Sequence, residues 1–153
     1  MKFRMVDQIL SWELKKRIRG VKTVSFEEYM LKASLGEEER LAETLILESF
    51  FQLANWLIIL SSDFTQMGLV VRTGRICFTG SVLPGQRMTM DLSVRRYRDD
   101  GILFDGQGYV DLRQVAAGEK CLAAPAPLGH YYDPDDLRTL FSEIYRPKEG
   151  QDT

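Results

Sequence analysis

Residues 41–60 read LAETLILESFFQLANWLIIL, and the fold follows from how this stretch must be enclosed. Leu41, Leu45, Glu48, Gln52 and Trp56 recur at three- and four-residue spacing, as do Leu47, Phe50, Phe51, Ala54, Leu57 and Ile58. No Pro or Gly interrupts residues 43–60, so the spacing predicts one long helix. A helix apolar on nearly every side cannot lie on a surface and has to be wrapped by other elements. Glu48, Ser49, Gln52 and Asn55 break the apolar run, which reads as too short and too polar for a bilayer span of about 20 predominantly apolar residues. Glu48, in the middle, needs a reason to be there. It is either a structural acid held by Gln52 one turn on, or an acid placed for proton transfer, and both readings stay open.

Outward from the helix, the chain reads as strands. Residues 5–12 and 17–25 are short apolar and β-branched segments around the charged Glu13-Leu14-Lys15-Lys16, a first hairpin. Ser34 with Glu37 three residues on matches a capping box that would start the helix near Leu35, with Glu37, Glu38 and Glu39 at its positive end. After the helix, residues 68–78 form a strand candidate and Pro84-Gly85 a turn. Met88, Met90, Leu92 and Val94 alternate with polar residues, giving a half-buried strand. Asp99-Asp100-Gly101 turns into residues 102–113, and Ala117-Gly118 turns again into residues 120–124. Successive hairpins around an enclosed helix predict an α+β fold, an antiparallel sheet wrapped around the long central helix. Asp133 as N-cap, Pro134, and Leu137, Leu140, Phe141 and Ile144 on one face predict a short C-terminal helix over about 134–145, packed on the domain or on a partner subunit. Residues 1–147 are expected to form one domain, and 148–153 a frayed tail.

Composition narrows the function classes. Twenty basic and 22 acidic residues give a formal charge of −2 without long like-charged blocks, so neither nucleic acid nor an anionic membrane is an expected partner. The first residues, MKFRMVDQIL, meet Asp7 and Gln8 before a signal-peptide core can form, which points to the cytoplasm. Cys77, Cys121 and the single histidine, His130, offer no metal-ligand spacing, and Gly106 and Gly108 lie inside a strand pattern rather than before a helix. Neither a metal nor another cofactor is expected.

Three pieces, in this order, resemble the FabZ-type 3-hydroxyacyl-[acyl-carrier-protein] dehydratases of the hotdog superfamily. Residues 3–10, FRMVDQIL, are similar to their opening F-L-L-V-D-R-V-L; residues 44–52, TLILESFFQ, to the helix pattern V-L-I-I-E-A-L-A-Q; and residues 75–86, RICFTGSVLPGQ, to A-R-F-R-R-P-V-x-P-G-D. The resemblance spans roughly residues 3 to 125. It implies a hotdog fold, a homodimer with two sites at the subunit interface, a tunnel for a thioester-linked acyl chain, and an acyl carrier protein or coenzyme A as carrier. It also implies that Glu48 is the catalytic acid, with Gln52, Gly36, Phe51 and Phe78 as candidate substrate-binding residues. The family pairs that acid with a histidine in a G-H-F-P-G-H-P loop before the helix. Here the ungapped position of that histidine is Ser34, and residues 32–38, KASLGEE, lack both prolines.

Dehydration of a 3-hydroxyacyl thioester takes a base for the proton beside the carbonyl and an acid for the departing hydroxyl. A lone serine does not supply the base, so the expected activity is weak or lost. His130, in GHYYDP after the last strand, reads as an exposed loop histidine rather than a replacement. Two other readings stand beside this one. One is a hotdog thioesterase using Glu48, with the helix N-terminus polarising the carbonyl and Gly36 allowing close approach. The other is a structural dimer module whose tunnel is filled by Phe50, Phe51 and Phe78.

Overall fold

The computed structural model describes residues 3–27, 31–32 and 38–147, with only the main chain of 31–32. In chain order the strands are β1 (Gln8–Glu13), β2 (Arg17–Thr23), β3 (Leu31–Lys32) and β4 (Arg40–Leu41), then the helix α1 (Glu43–Ser61). There follow β5 (Gln66–Arg72), β6 (Arg75–Phe78), β7 (Arg87–Arg98), β8 (Gly101–Val110), β9 (Arg113–Pro127) and α2 (Pro134–Ile144). Among the described residues, seven strands make one antiparallel sheet in the order β1-β2-β7-β8-β9-β5, with β6 on β9 beside β5. α1 lies in its concave face, the hotdog arrangement expected from the sequence.

The period-2 pattern of β7 is realised in full: Met88, Met90 and Leu92 face α1 and are buried. They meet Phe50, Leu53 and Leu57 on the helix within one core. Wrapping requires the sheet to bend, and it bends at aligned irregularities. The register shifts at Val94/Arg96 in β7, at Phe104/Gly106 in β8 and at Val70/Arg72 in β5, while Lys120 in β9 takes a left-handed φ of 54°. Bulges kink a strand and increase its twist but strand an extra N–H. Asp105 serves this one, accepting the Lys120 N–H at 2.8 Å and the Arg95 guanidinium at 2.6 Å.

Three expectations need correction. The helix starts at Glu43 with Ala42 as N-cap and no side-chain cap, so Ser34 is not its cap and Glu43 is the acid of its first turn. The intervening chain instead pairs β3 with β4, Leu31 opposite Leu41. Ser34 and Gly36 themselves lie outside the described residues, as does the tail 148–153. Ala117-Gly118 is no turn; both lie within β9, and the chain reverses at Asp111-Leu112, where Asp111 adopts φ 54°. Gly118 is needed where it stands, because a Cβ there would press on Ile76 at 3.2 Å. Finally, the 19 residues of α1 are long and apolar enough to cross a membrane, with mean hydropathy 1.5. Enclosure by the sheet, not polarity, identifies it as a core helix.

α2 packs on its own chain. Asp133 caps it by accepting the Asp135 N–H at 2.9 Å, and Leu137 and Ile144 are buried. Phe141 lies 6.1 Å from Trp56 and 5.0 Å from Tyr145, ring centre to ring centre. The segment then runs along β1: Tyr145 bridges Ile9, and the Arg146 N–H donates to the Ile9 carbonyl at 2.8 Å. One sheet edge is thereby covered by the chain's own C-terminal segment.

One close helix–sheet approach is at Leu53, fully buried over Gly20, where a Cβ would come within 2.7 Å of Leu53 Cδ1. Leu53→Ala is expected to cost about 3 kcal/mol, since neighbours fixed on a sheet collapse poorly into the void. In a thermal melt that is a fall of about 10 °C; a shift within about 2 °C would mean the layer is not close-packed.

Candidate active site

Glu48 is half-buried in the middle of α1, on the side turned away from the sheet. Gln52 stands one turn on, as the helical spacing requires, and its Nε2 donates to Glu48 Oε1 at 3.0 Å. The same Nε2 donates to the Phe3 carbonyl at 3.1 Å, and Gln52 Oε1 accepts the Met5 N–H at 2.8 Å. An N-terminal strap, residues 3–7, therefore crosses α1 over this pair. Met5 and Val6 are buried beneath it, which fixes the strap by burial of apolar surface.

At its far end the strap is tied to β2. Asp7 Oδ2 accepts the Thr23 N–H at 2.6 Å and lies 3.7 Å from Lys22 Nζ. Lys22 is 5% exposed, a buried cation that the sequence did not single out. Its signal was faint: in VKTV a lysine between β-branched residues reads as an outward polar position, and its carboxylate partner lies on another segment.

Of the residues expected at the site, the structure brings Glu48 and Gln52 into contact. Phe51 is half-buried on α1 beside them. Phe78 sits on β6 opposite Ala116, 38% exposed. Phe50 is not at the surface but buried, its ring against Gly106 and Gly108. His130 ends a 3-10 turn that begins at Leu128, whose N–H donates to the Thr65 carbonyl past the C-terminal end of α1. Within one chain, the helix from Glu48 to its last residue, Ser61, runs about 20 Å at 1.5 Å per residue.

Neither free cysteine lies on α1 beside Glu48. Cys121 is pushed up to about 11 by burial, with Asp105 adding to it, so it is protonated at neutral pH, and Cys77 is half-buried on β6. Among the described residues no three His, Cys, Asp or Glu side chains converge as a metal site would require.

Comparison with known proteins agrees with this geometry. A family profile described as a FabA-like domain matches residues 1–119. The chain is 27% identical over 121 residues to the 3-hydroxyacyl-[acyl-carrier-protein] dehydratase FabZ of Aliarcobacter butzleri, covering 75% of this chain and 82% of that one. It is 29% identical over 125 residues to the FabZ of Oleidesulfovibrio alaskensis, covering 80% of each. Among solved structures, a Streptococcus mutans protein bound to acetyl CoA superposes with a TM-score of 0.63 at 14% identity, over 82% of this chain and 94% of that one. The fluoroacetyl-CoA thioesterase FlK superposes with a TM-score of 0.64 at 11% identity, over 84% and 97%. These two likenesses speak to the fold, whereas the profile covers most of the sequence. With the wrapped sheet and the Glu48–Gln52 pair in place, the chain belongs to the FabA-like family and is a FabZ-like hotdog protein.

Proposed function

We propose that this protein binds acyl thioesters carried on acyl carrier protein or coenzyme A, and that its dehydratase activity is weak or lost. The observation that carries the reading is the half-site: Glu48 is held on α1 by Gln52, while the chain's one histidine lies beyond the opposite end of that helix. Glu48 supplies the acid that protonates a departing 3-hydroxyl. Ser34 stands where a base should be. The dehydratase names of the relatives support the thioester, and a cytoplasmic setting belongs to the same reading. Loss of a positioned base typically costs about 10²- to 10⁴-fold. Conversion of 3-hydroxyacyl thioesters to 2-enoyl thioesters, followed beside the Aliarcobacter butzleri relative, is expected to fall short by that factor. A rate equal to the relative's would overturn the reading.

A thioesterase is the second reading, favoured by one observation: among the described residues no side chain caps the N-terminus of α1, whose positive end suits a thioester carbonyl.

The active form in this proposal is a homodimer. One sheet edge, β1, meets residues 145–146, but among the described residues β5 and β6 are paired only to β9, with Leu69 42%, Val71 61% and Phe78 38% exposed along them. An open apolar edge is a template for another strand, and a second copy offers the matching one. Light scattering is expected to give twice 17.6 kDa, and Leu69→Lys with Val71→Lys to give a single chain. A wild-type monomer at micromolar concentration would remove the shared site.

A further inference from the structure

We propose that the N-terminal strap, acting through Gln52, fixes the Glu48 carboxyl so that Oε2 is the oxygen presented to the substrate's 3-hydroxyl; Gln52 is a positioning residue. This deepens the acyl-thioester reading and rests on it. A carboxamide has one acceptor end and one donor end, and a free Gln can present either. Here neither end is free. The Met5 N–H can only donate, so it fixes Gln52 Oε1; the Phe3 carbonyl can only accept, so it fixes Nε2. Both anchors are main chain and neither reverses.

What remains for Glu48 is therefore always a donor, Nε2–H, which meets Oε1 at 3.0 Å. With Oε1 held in that bond, Oε2 is the oxygen left to meet a 3-hydroxyl. The strap is rigid enough to impose this: Met5 and Val6 are buried, and Asp7 is bonded to Thr23 and close to Lys22 on β2. Gln52, with both ends of its amide committed, is not itself a substrate contact.

Equilibrium binding tests this without turnover. The wild-type protein is titrated with 3-hydroxyhexanoyl-CoA and hexanoyl-CoA by calorimetry, and so are Gln52→Leu and Met5→Pro. Wild type is expected to favour the hydroxylated ligand by about 10-fold, the worth of one well-placed hydrogen bond to a polar group. Gln52→Leu should bring that preference within about 2-fold by weakening the hydroxylated ligand more than hexanoyl-CoA. Met5→Pro keeps Gln52 but deletes the N–H that orients it, and should lose the preference too. A merely structural Gln52 would weaken both ligands equally, and that result overturns the inference, as does a preference that survives in either folded variant. No binding of either ligand by the wild type defeats the acyl-thioester reading itself.

Discussion

Ser34→His is expected to raise dehydration of 3-hydroxyacyl thioesters about 100-fold over wild type. In the proposed half-site Glu48 is the acid, held by Gln52, and the chain carries a single histidine, His130, beyond the far end of α1. An imidazole titrating near neutrality suits removal of the proton beside a thioester carbonyl, and a positioned base contributes about 10²- to 10⁴-fold. The gain belongs at the low end of that range, because residues 32–38 lack the prolines of the G-H-F-P-G-H-P pattern, and a misplacement of about 1 Å costs about 100-fold. Appearance of the 2-enoyl thioester gives the rate. If wild type already turns over like its histidine-bearing relatives, the lost-base reading fails, and His130→Ala becomes the next variant, as a base supplied across the dimer. If Ser34→His gains nothing while thioester hydrolysis depends on Glu48, the thioesterase reading replaces it.

How much was legible in the sequence depended on how local the signal was. The central helix could be read because its enclosure is written into consecutive residues, and the Glu48–Gln52 contact because four residues apart on a helix means adjacent. The start of that helix could not. Ser34 and Glu37 match a capping box locally, but the helix begins only at Glu43, after Arg40–Leu41 has paired with Leu31–Lys32. Ala117-Gly118 looked like a turn for the same reason: a small residue beside glycine signals reversal until the facing element is known, and here Phe50 and Ile76 are what face Gly118. The strap was out of reach altogether. Its meaning lies in the bond that Gln52 accepts from the Met5 N–H and the one it donates to the Phe3 carbonyl, 47 and 49 residues away, and main-chain groups leave no trace in side-chain pattern.

Glu48→Gln, made in the Ser34→His background, is expected to remove the gained dehydration, a loss of about 100-fold, while the melting temperature moves by less than about 3 °C. The two readouts separate chemistry from architecture. For the chemistry, an amide has no acidic proton to give a departing hydroxyl, so the step that Glu48 serves is lost however well Gln fits. For the architecture, the polar partner of Glu48 among the described residues is Gln52, whose Nε2 donates to Oε1 at 3.0 Å, and a Gln carbonyl oxygen can accept the same bond. The fold then loses at most part of one hydrogen bond, about 1 kcal/mol. A buried ion pair behaves otherwise: removing one member strands the other and costs about 3 to 5 kcal/mol. For a chain of this length that is a fall of roughly 6 to 20 °C. A melting temperature that drops by more than about 6 °C would therefore assign Glu48 to the structure and leave the acid of the proposed half-site without a residue. A small shift with the dehydration gone places it in the chemistry.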